Sequence, residues 1–230
     1  MNFVDEGKLL VGSKEVQEAS LNIVVDAAEA VLGNPIAVAK LLLAVEKTPF
    51  FLQNQLFWVK FEAFLNGSFI DEESRAKMAA VFAGKGDRED NAVRLLATID
   101  KVDSMSKIKF LNNATRCLLA GFIDLTQYFR ICRAISDTLL EDLLFLRDHI
   151  KEESIFYNEE VQGLISSGLM YMSDLEEETA YSFTPSAFIL DQYAISYNDV
   201  DRYPNPTRIE EKKKLDVHYF GSDFYKVGEV

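Results

Sequence analysis

The side chains able to act as nucleophiles, bases or metal ligands are few and scattered. The chain has two histidines, His149 and His218, and two cysteines, Cys117 and Cys132. They show no zinc spacing, and neither C-x-x-C nor H-E-x-x-H occurs. A Cys–His couple needs hydrogen-bond reach. Cys132 and His149 stand more than about four turns apart on what reads as one helix. G-x-S-x-G is absent, and Gly84-Lys85-Gly86 lacks the spaced glycines and the Lys-Ser/Thr of a phosphate loop. Carboxylates are plentiful. Glu141, Asp142, Asp148, Glu152 and Glu153 recur at helical spacing, and paired acids can hold Mg²⁺ or Ca²⁺. No D-x-D-x-D-G loop accompanies them, and no glycine follows Glu176-Glu177-Glu178, so a solvated acidic face is the expectation. His149 closes its helix, where a cation suits the helix dipole. No catalytic residue, cofactor or metal ligand is assigned, and the chain reads as a non-enzyme.

Charge narrows the partners. The net charge is −13 and the pI about 4.7, which argues against nucleic acid or anionic lipid. The acid is unevenly placed: between Asp137 and Ala180 twelve Asp or Glu face only Arg147 and Lys151, a net of −10. Such a window is either a solubilising surface or a site for a basic partner. Met1 to Gly12 carries acids where a secretory signal needs a positive segment, and no apolar run is long enough for a membrane span. A cytoplasmic protein with both cysteines reduced is expected.

The elements that must carry these residues are mostly helices. Residues 1–14 show no clear period and read as loose. Helices are expected over 15–32 and, after Gly33 with Asn34 as cap and Pro35 first, to about Lys47. The second of these is apolar on most sides, so it is either buried or attracted to a membrane. Thr48-Pro49 starts an aromatic-rich helix that Asn66-Gly67 is expected to stop, and Asp71 caps a short one. From Asn91 to Ile150 three amphipathic helices follow. The third carries Leu125, Phe129, Cys132, Ile135, Leu139, Leu143, Leu146 and Ile150 on one face, with a capping box of Asp124 and Gln127. Gly121 ends the helix before it. Short loops between such faces imply antiparallel packing around one core.

After a polar hinge at Lys151-Glu152-Glu153-Ser154 the pattern changes. A short helix over Tyr157–Ser167, capped by Asn158, carries Val161, Leu164 and Ile165 and ends at Gly168. Leu169–Met172 and Ala180–Phe183 read as strands around an acidic turn, Ser173–Thr179. Thr184-Pro185 opens a last helix to about Ile195, with Phe188, Ile189, Tyr193 and Ile195 inward. Residues 196–230 read as an extended tail with aromatic residues and the basic run Lys212-Lys213-Lys214.

The order in Leu164-Ile165-Ser166-Ser167-Gly168-Leu169 and Tyr181-Ser182-Phe183-Thr184-Pro185 resembles a winged-helix module: helix, Gly-Leu, strand, turn, strand, Thr-Pro, helix. The resemblance implies that the helix packs on the hairpin and that the acidic turn is the wing tip. Two departures argue against DNA binding. There is little room before Asn158 for the extra helix, and the presumed reading helix carries Glu159 and Glu160 with no Lys or Arg. The whole chain also resembles uncharacterised bacterial and phage helical proteins, some of which sit beside defence genes; that resemblance implies no chemistry.

The expected fold is mainly α: a helical bundle over 1–150, a small α/β winged-helix-like module over 151–195, and a tail over 196–230. The expected function is interaction or regulation, with a protein partner or a second copy meeting Asp174, Glu176, Glu177, Glu178, Glu159 and Glu160. The alternative is a membrane-acting protein that uses apolar helices within 21–45.

Overall fold

The computed structural model describes residues 2–14, 16, 23–47, 55–83, 88–175 and 178–197, with 23, 24, 44–47, 55, 88, 89, 174, 175, 178 and 179 described by backbone alone. Among these residues the chain is mainly helical, with eleven α-helices and one two-stranded antiparallel sheet. It divides into two compact units, Met1–Leu140 and the chain from Glu141 onward. The division falls after the first residue of helix Leu140–His149, on the N-terminal side of the hinge expected at Lys151.

The N-terminal residues expected to be loose instead form α1 (Phe3–Leu10). Asn2 caps it, accepting the Asp5 N–H at 2.8 Å, and Asn66 Oδ1 accepts the Val4 N–H at 3.1 Å. Two of the donors orphaned at a helix start are thus satisfied. The buried stripe is Phe3, Val4 and Gly7. Glycine hides the period because its function is absence: a Cβ there would stand 2.5 Å from Val38 Cγ1. The bare helix face rests on α3 (Pro35–Lys47), which also packs against α2 (Ile23–Val31). Gly33, at φ +87°, makes the turn between them, and Asn34 Oδ1 accepts the Ile36 N–H at 3.0 Å. Ala37, Val38, Ala39 and Leu41 of α3 are buried. Among the described residues no helix is long and apolar enough to cross a membrane.

α4 (Gln55–Ser68) runs through Asn66-Gly67 instead of stopping there. Gly67 is where α4 meets α7 (Met105–Leu119): a Cβ would lie 2.0 Å from Asn112 Nδ2. Asn112 donates to Ala63 O at 3.2 Å and accepts from the Ser68 hydroxyl at 3.0 Å. The Asn-Gly pair is therefore a contact between helices and not a stop signal. α5 (Glu72–Ala83) is capped by Asp71, which accepts the Ser74 N–H at 2.8 Å. α6 (Arg88–Lys101) buries Ala92, Leu95 and Ile99. The buried Lys60 Nζ of α4 donates to Asp100 O at 2.6 Å and Val102 O at 2.7 Å, closing the C-terminal end of α6 with a cation where the helix dipole is negative.

Gly121, at φ +78°, turns the chain into α8 (Leu125–Asp137), whose Asp124–Gln127 capping box is complete. α8 packs against both α6 and α7. Between α7 and α8 the buried Tyr128 hydroxyl lies 3.0 Å from Thr115 Oγ1, which itself donates to Leu111 O at 2.8 Å.

The long third helix expected to reach Ile150 is two helices. Thr138, with ψ 142°, leaves the helical region and ends α8, and α9 (Leu140–His149) begins afresh. Asp137 and Thr138 both compete with the helix for backbone hydrogen bonds. The break turns Leu139 outward, 61% exposed, while Leu143, Leu146 and Ile150 stay buried.

In the second unit the buried carboxylate of Asp142 on α9 faces α10 (Glu159–Ser166) at Gly163, where a Cβ would fall 2.0 Å from Asp142 Oδ2. Asn158 caps α10, accepting the Val161 N–H at 2.7 Å, and Gly168, at φ +74°, ends it. β1 (Met170–Leu175) and β2 (Glu178–Phe183) pair from Met170↔Phe183 to Leu175↔Glu178. The strands thus consume most of the stretch expected as a seven-residue acidic turn. An isolated bridge between Ile155 and Tyr181 lays a third extended segment along β2. The Thr184 hydroxyl donates to Gly168 O at 3.1 Å, tying both ends of the hairpin base together.

α11 (Pro185–Leu190) then widens into a single π turn, Asp191–Ile195. Ala187, Leu190, Ala194 and Ile195 are buried, whereas Phe188, Ile189 and Tyr193, expected inward, are only half-buried. Ala187, Leu190 and Ala194 follow the three- and four-residue spacing of one helix face, and Phe188 and Ile189 lie to either side of it. Gly84-Lys85-Gly86, Thr48-Pro49, Glu176, Glu177, His218 and the tail from 198 on, with Lys212-Lys213-Lys214, lie outside the described residues.

Candidate functional site

Reactive groups in the first unit are buried. Cys117 and Cys132 are buried and form no disulfide. Burial pushes the Cys132 thiol up to about 12, against weaker opposing effects from the Tyr128 hydroxyl and Arg94. A thiol so far from ionisation is not a nucleophile near neutral pH. Burial likewise pushes the Tyr128 hydroxyl well above the usual tyrosine value.

The carboxylates of the second unit do not converge. Asp142 is buried, while Glu141, Asp148, Glu152 and Glu153 are exposed. Asp148 is held below the usual carboxylate range by its hydrogen bond from Arg147, 2.8 Å away, and Glu152 contacts His149 Nδ1 at 2.8 Å. The His149 ring stacks on Phe145, with centroids 4.2 Å apart. Among the described residues no three His, Cys, Asp or Glu side chains group to hold a metal ion.

What the second unit does present is a surface. The sheet's inner face carries Ile155, Met170 and Phe183, all buried, with Val161 and Leu164 of α10 also inside. In an antiparallel register neighbours alternate between faces. Tyr171 and Ser182, which pair directly, therefore share the opposite face, and Phe156, one residue past the Ile155 bridge, joins them there. Phe156 is 68% exposed and Tyr171 50%. Met172, at the outer end of the inner face, is 60% exposed; it pairs with Tyr181, whose ring lies 5.9 Å from that of Tyr157. The Tyr157 hydroxyl donates to Gln162 Oε1 at 2.8 Å, fixing that ring beside α10.

The acids singled out from sequence fall in two places. Glu159, exposed, and Glu160, half-buried, occupy the first turn of α10, where carboxylates suit the positive end of the helix dipole. Asp174 and Glu178 belong to the last two pairs of the hairpin, about 13 Å from its base at the ordinary rise of a strand. Among the apolar residues of this unit, Leu164 and Met170 are used inside it, and Ile165 and Met172 are exposed. Phe156 and Tyr157 were missed because they follow a polar hinge. The run Ile155-Phe156-Tyr157, one β-branched residue and two aromatic ones, is itself a short strand signal.

No protein-family model matches the chain, and no curated protein or solved structure matches it either.

Proposed function

We propose that this chain is a non-enzymatic interaction or regulatory protein whose contact face is the open side of the hairpin in the second unit. The observation that carries this reading is the pair of exposed aromatic rings, Phe156 and Tyr171, on the sheet face opposite Met170 and Phe183. Aromatic side chains bury large areas at low entropic cost and are enriched at the centres of interfaces. Exposed carboxylates on the same unit, Glu152, Glu153 and Glu159, supply the charge that selects a basic partner over an acidic one. The element order α9, Ile155 bridge, α10, β1, β2, α11 supports a winged-helix-like module with one helix in place of two between the Ile155 segment and the hairpin. α10 carries no Lys or Arg, which supports a protein partner over DNA.

The test is capture of partners from the native host by the full chain at low and at raised salt, beside light scattering of the purified protein. A basic protein that is retained at low salt and released by salt, or a dimer, supports the reading when Phe156→Ser abolishes it. Retardation of random-sequence duplex DNA at near-physiological salt, unaffected by Phe156→Ser, overturns it.

A further inference from the structure

The first unit holds a cleft whose chemistry is opposite to the rest of the chain. Its volume is about 340 Å³, within the lower range of ligand pockets. Three guanidinium groups line it: Arg94 from α6, and Arg130 and Arg133 from α8, with Asn91, Thr126 and Phe129 between them. The chain as a whole has a net charge of −13, whereas the lining of this cleft holds three arginines and no carboxylate.

The three are not equivalent. Arg94 lies over the Phe129 ring, 4.0 Å from its centroid, which holds the guanidinium plane and leaves its N–H edge for a ligand. Arg133 Nε is paired with Asp137 Oδ2 at 3.3 Å, and Asp137 also binds Lys101, so this cation is partly neutralised. Arg130 makes no ion pair or side-chain hydrogen bond among the described residues, and it is exposed. It sits one turn before Arg133 on the same helix. Leu125 and Thr126, in the first turn of α8, complete the wall.

We infer that this cleft binds a compact phosphoryl group, as carried by a small organic phosphate. A planar fork of N–H donors matches phosphate in bidentate fashion, and two such forks match a dianion better than a single carboxylate. The long-range field of the chain repels anions, so binding here comes from short-range, directional hydrogen bonds and not from steering. That favours a small ligand fitting inside the cleft over a polyanion or an acidic peptide lying across it. The inference concerns a different unit from the hairpin face and does not depend on it.

Pyrophosphate titrated into the full chain at constant ionic strength is the test, read by calorimetry and by the arginine Nε–H resonances. Saturable binding that shifts the Arg94 and Arg130 signals is expected. Arg130→Gln then weakens it about tenfold or more, the size of a lost charge-assisted hydrogen bond. Arg130→Lys, which keeps the charge and loses the fork, also weakens it, whereas removing an exposed charge elsewhere, Lys109→Gln, changes nothing. Absence of saturable binding overturns the inference. So does equal weakening by Lys109→Gln, or binding of a poly-glutamate peptide in preference to pyrophosphate.

Discussion

The two units dispose of their aromatic and polar side chains in opposite ways. In the first, Phe3, Phe64, Phe82 and Tyr128 are fully buried, and the buried polar groups Lys60, Asn112 and Thr115 each have partners inside. Its exposed large apolar residues, such as Leu9, Val25 and Val93, are aliphatic and spread over several helices. In the second, Phe156, Tyr157 and Tyr171 are exposed, and among the described residues these are all the exposed aromatic rings. Scattered aliphatic exposure is normal for a soluble surface, but clustered exposure on one unit marks a contact site. The contrast teaches that the first unit spends its aromatic residues on its own core, and the second keeps some back.

The contrast breaks most visibly at positions one turn apart on the face that straddles the helix break. Leu143→Asp should cost on the order of 4 kcal/mol or more, because Leu143 is fully buried and the new carboxylate has no partner. Leu139→Asp, on the same apparent stripe, should stay within about 0.5 kcal/mol. Urea unfolding of both variants checks this, and equal losses would mean that the helix break is not where α8 ends.

The glycine contacts come next. Gly67→Ala in the first unit and Gly163→Ala in the second should each cost about 1–3 kcal/mol, the usual size of overpacking. In both a Cβ lands 2.0 Å from a polar atom of another helix. Asn112 cannot step aside without losing its bonds to Ala63 O and Ser68. Of similar or smaller size is Thr115→Val, which removes the Thr115 hydroxyl from beside the buried Tyr128 hydroxyl and should cost about 1–2 kcal/mol. Adding Tyr128→Phe should recover much of that loss, since removing both partners leaves no unpaired group. A double-mutant cycle by thermal unfolding reads the coupling directly.

How much of this was legible follows from where the signals are local. Caps and turns were: Asp124 with Gln127, Asn34, Asn158, Gly121 and Gly168 act through atoms within a few residues of themselves. Contacts made by missing atoms were not. Gly7 interrupts the apolar period of α1, and Gly67 imitates a helix stop, because the atoms that explain them belong to Val38 and Asn112. The break at Thr138 could have been read, since Thr138 with Glu141 three residues on is a helix-start pattern; the continuous stripe of leucines outweighed it. For the surface, the acids were visible as a composition. The exposure of Phe156 and Tyr171 depends on the strand register, which pairs Tyr171 with Ser182 and so decides which side of the sheet each ring takes. The arginine cleft was invisible because Arg94 lies far along the chain from Arg130 and Arg133.

A smaller effect tests the polar side of the second unit. Burial raises the Asp191 carboxyl above the usual value, more than the Ser196 hydroxyl bond and the nearby Arg147 and Lys151 lower it. An acid whose folded-state pKa is raised binds its proton more tightly in the native state. Stability therefore falls as pH rises from the ordinary aspartate value through the raised one, and at neutral pH the ionised group is a net cost. Asp191→Asn should stabilise by less than about 1 kcal/mol at neutral pH, allowing for solvent screening. The gain should vanish as pH drops toward the ordinary aspartate range. Melting temperature of both proteins across that range checks the sign.

The smallest expected effect on stability is at the rings that define the contrast. Phe156→Ser and Tyr171→Ser remove apolar surface that already faces water, so each should change the unfolding free energy by no more than about 0.5 kcal/mol. Tyr128→Ser in the first unit, by comparison, opens a core that Phe82 and Phe129 line. If the exposed rings served the unit's own packing, for instance by covering Ala180, which is buried on their face of the sheet, the serine variants would lower the melting temperature clearly. If they serve a partner, the isolated protein should melt unchanged while retention of that partner drops. Phe156 and Tyr171 are the pair for which stability and binding should separate, and a variant that lost both together would place these rings with the core.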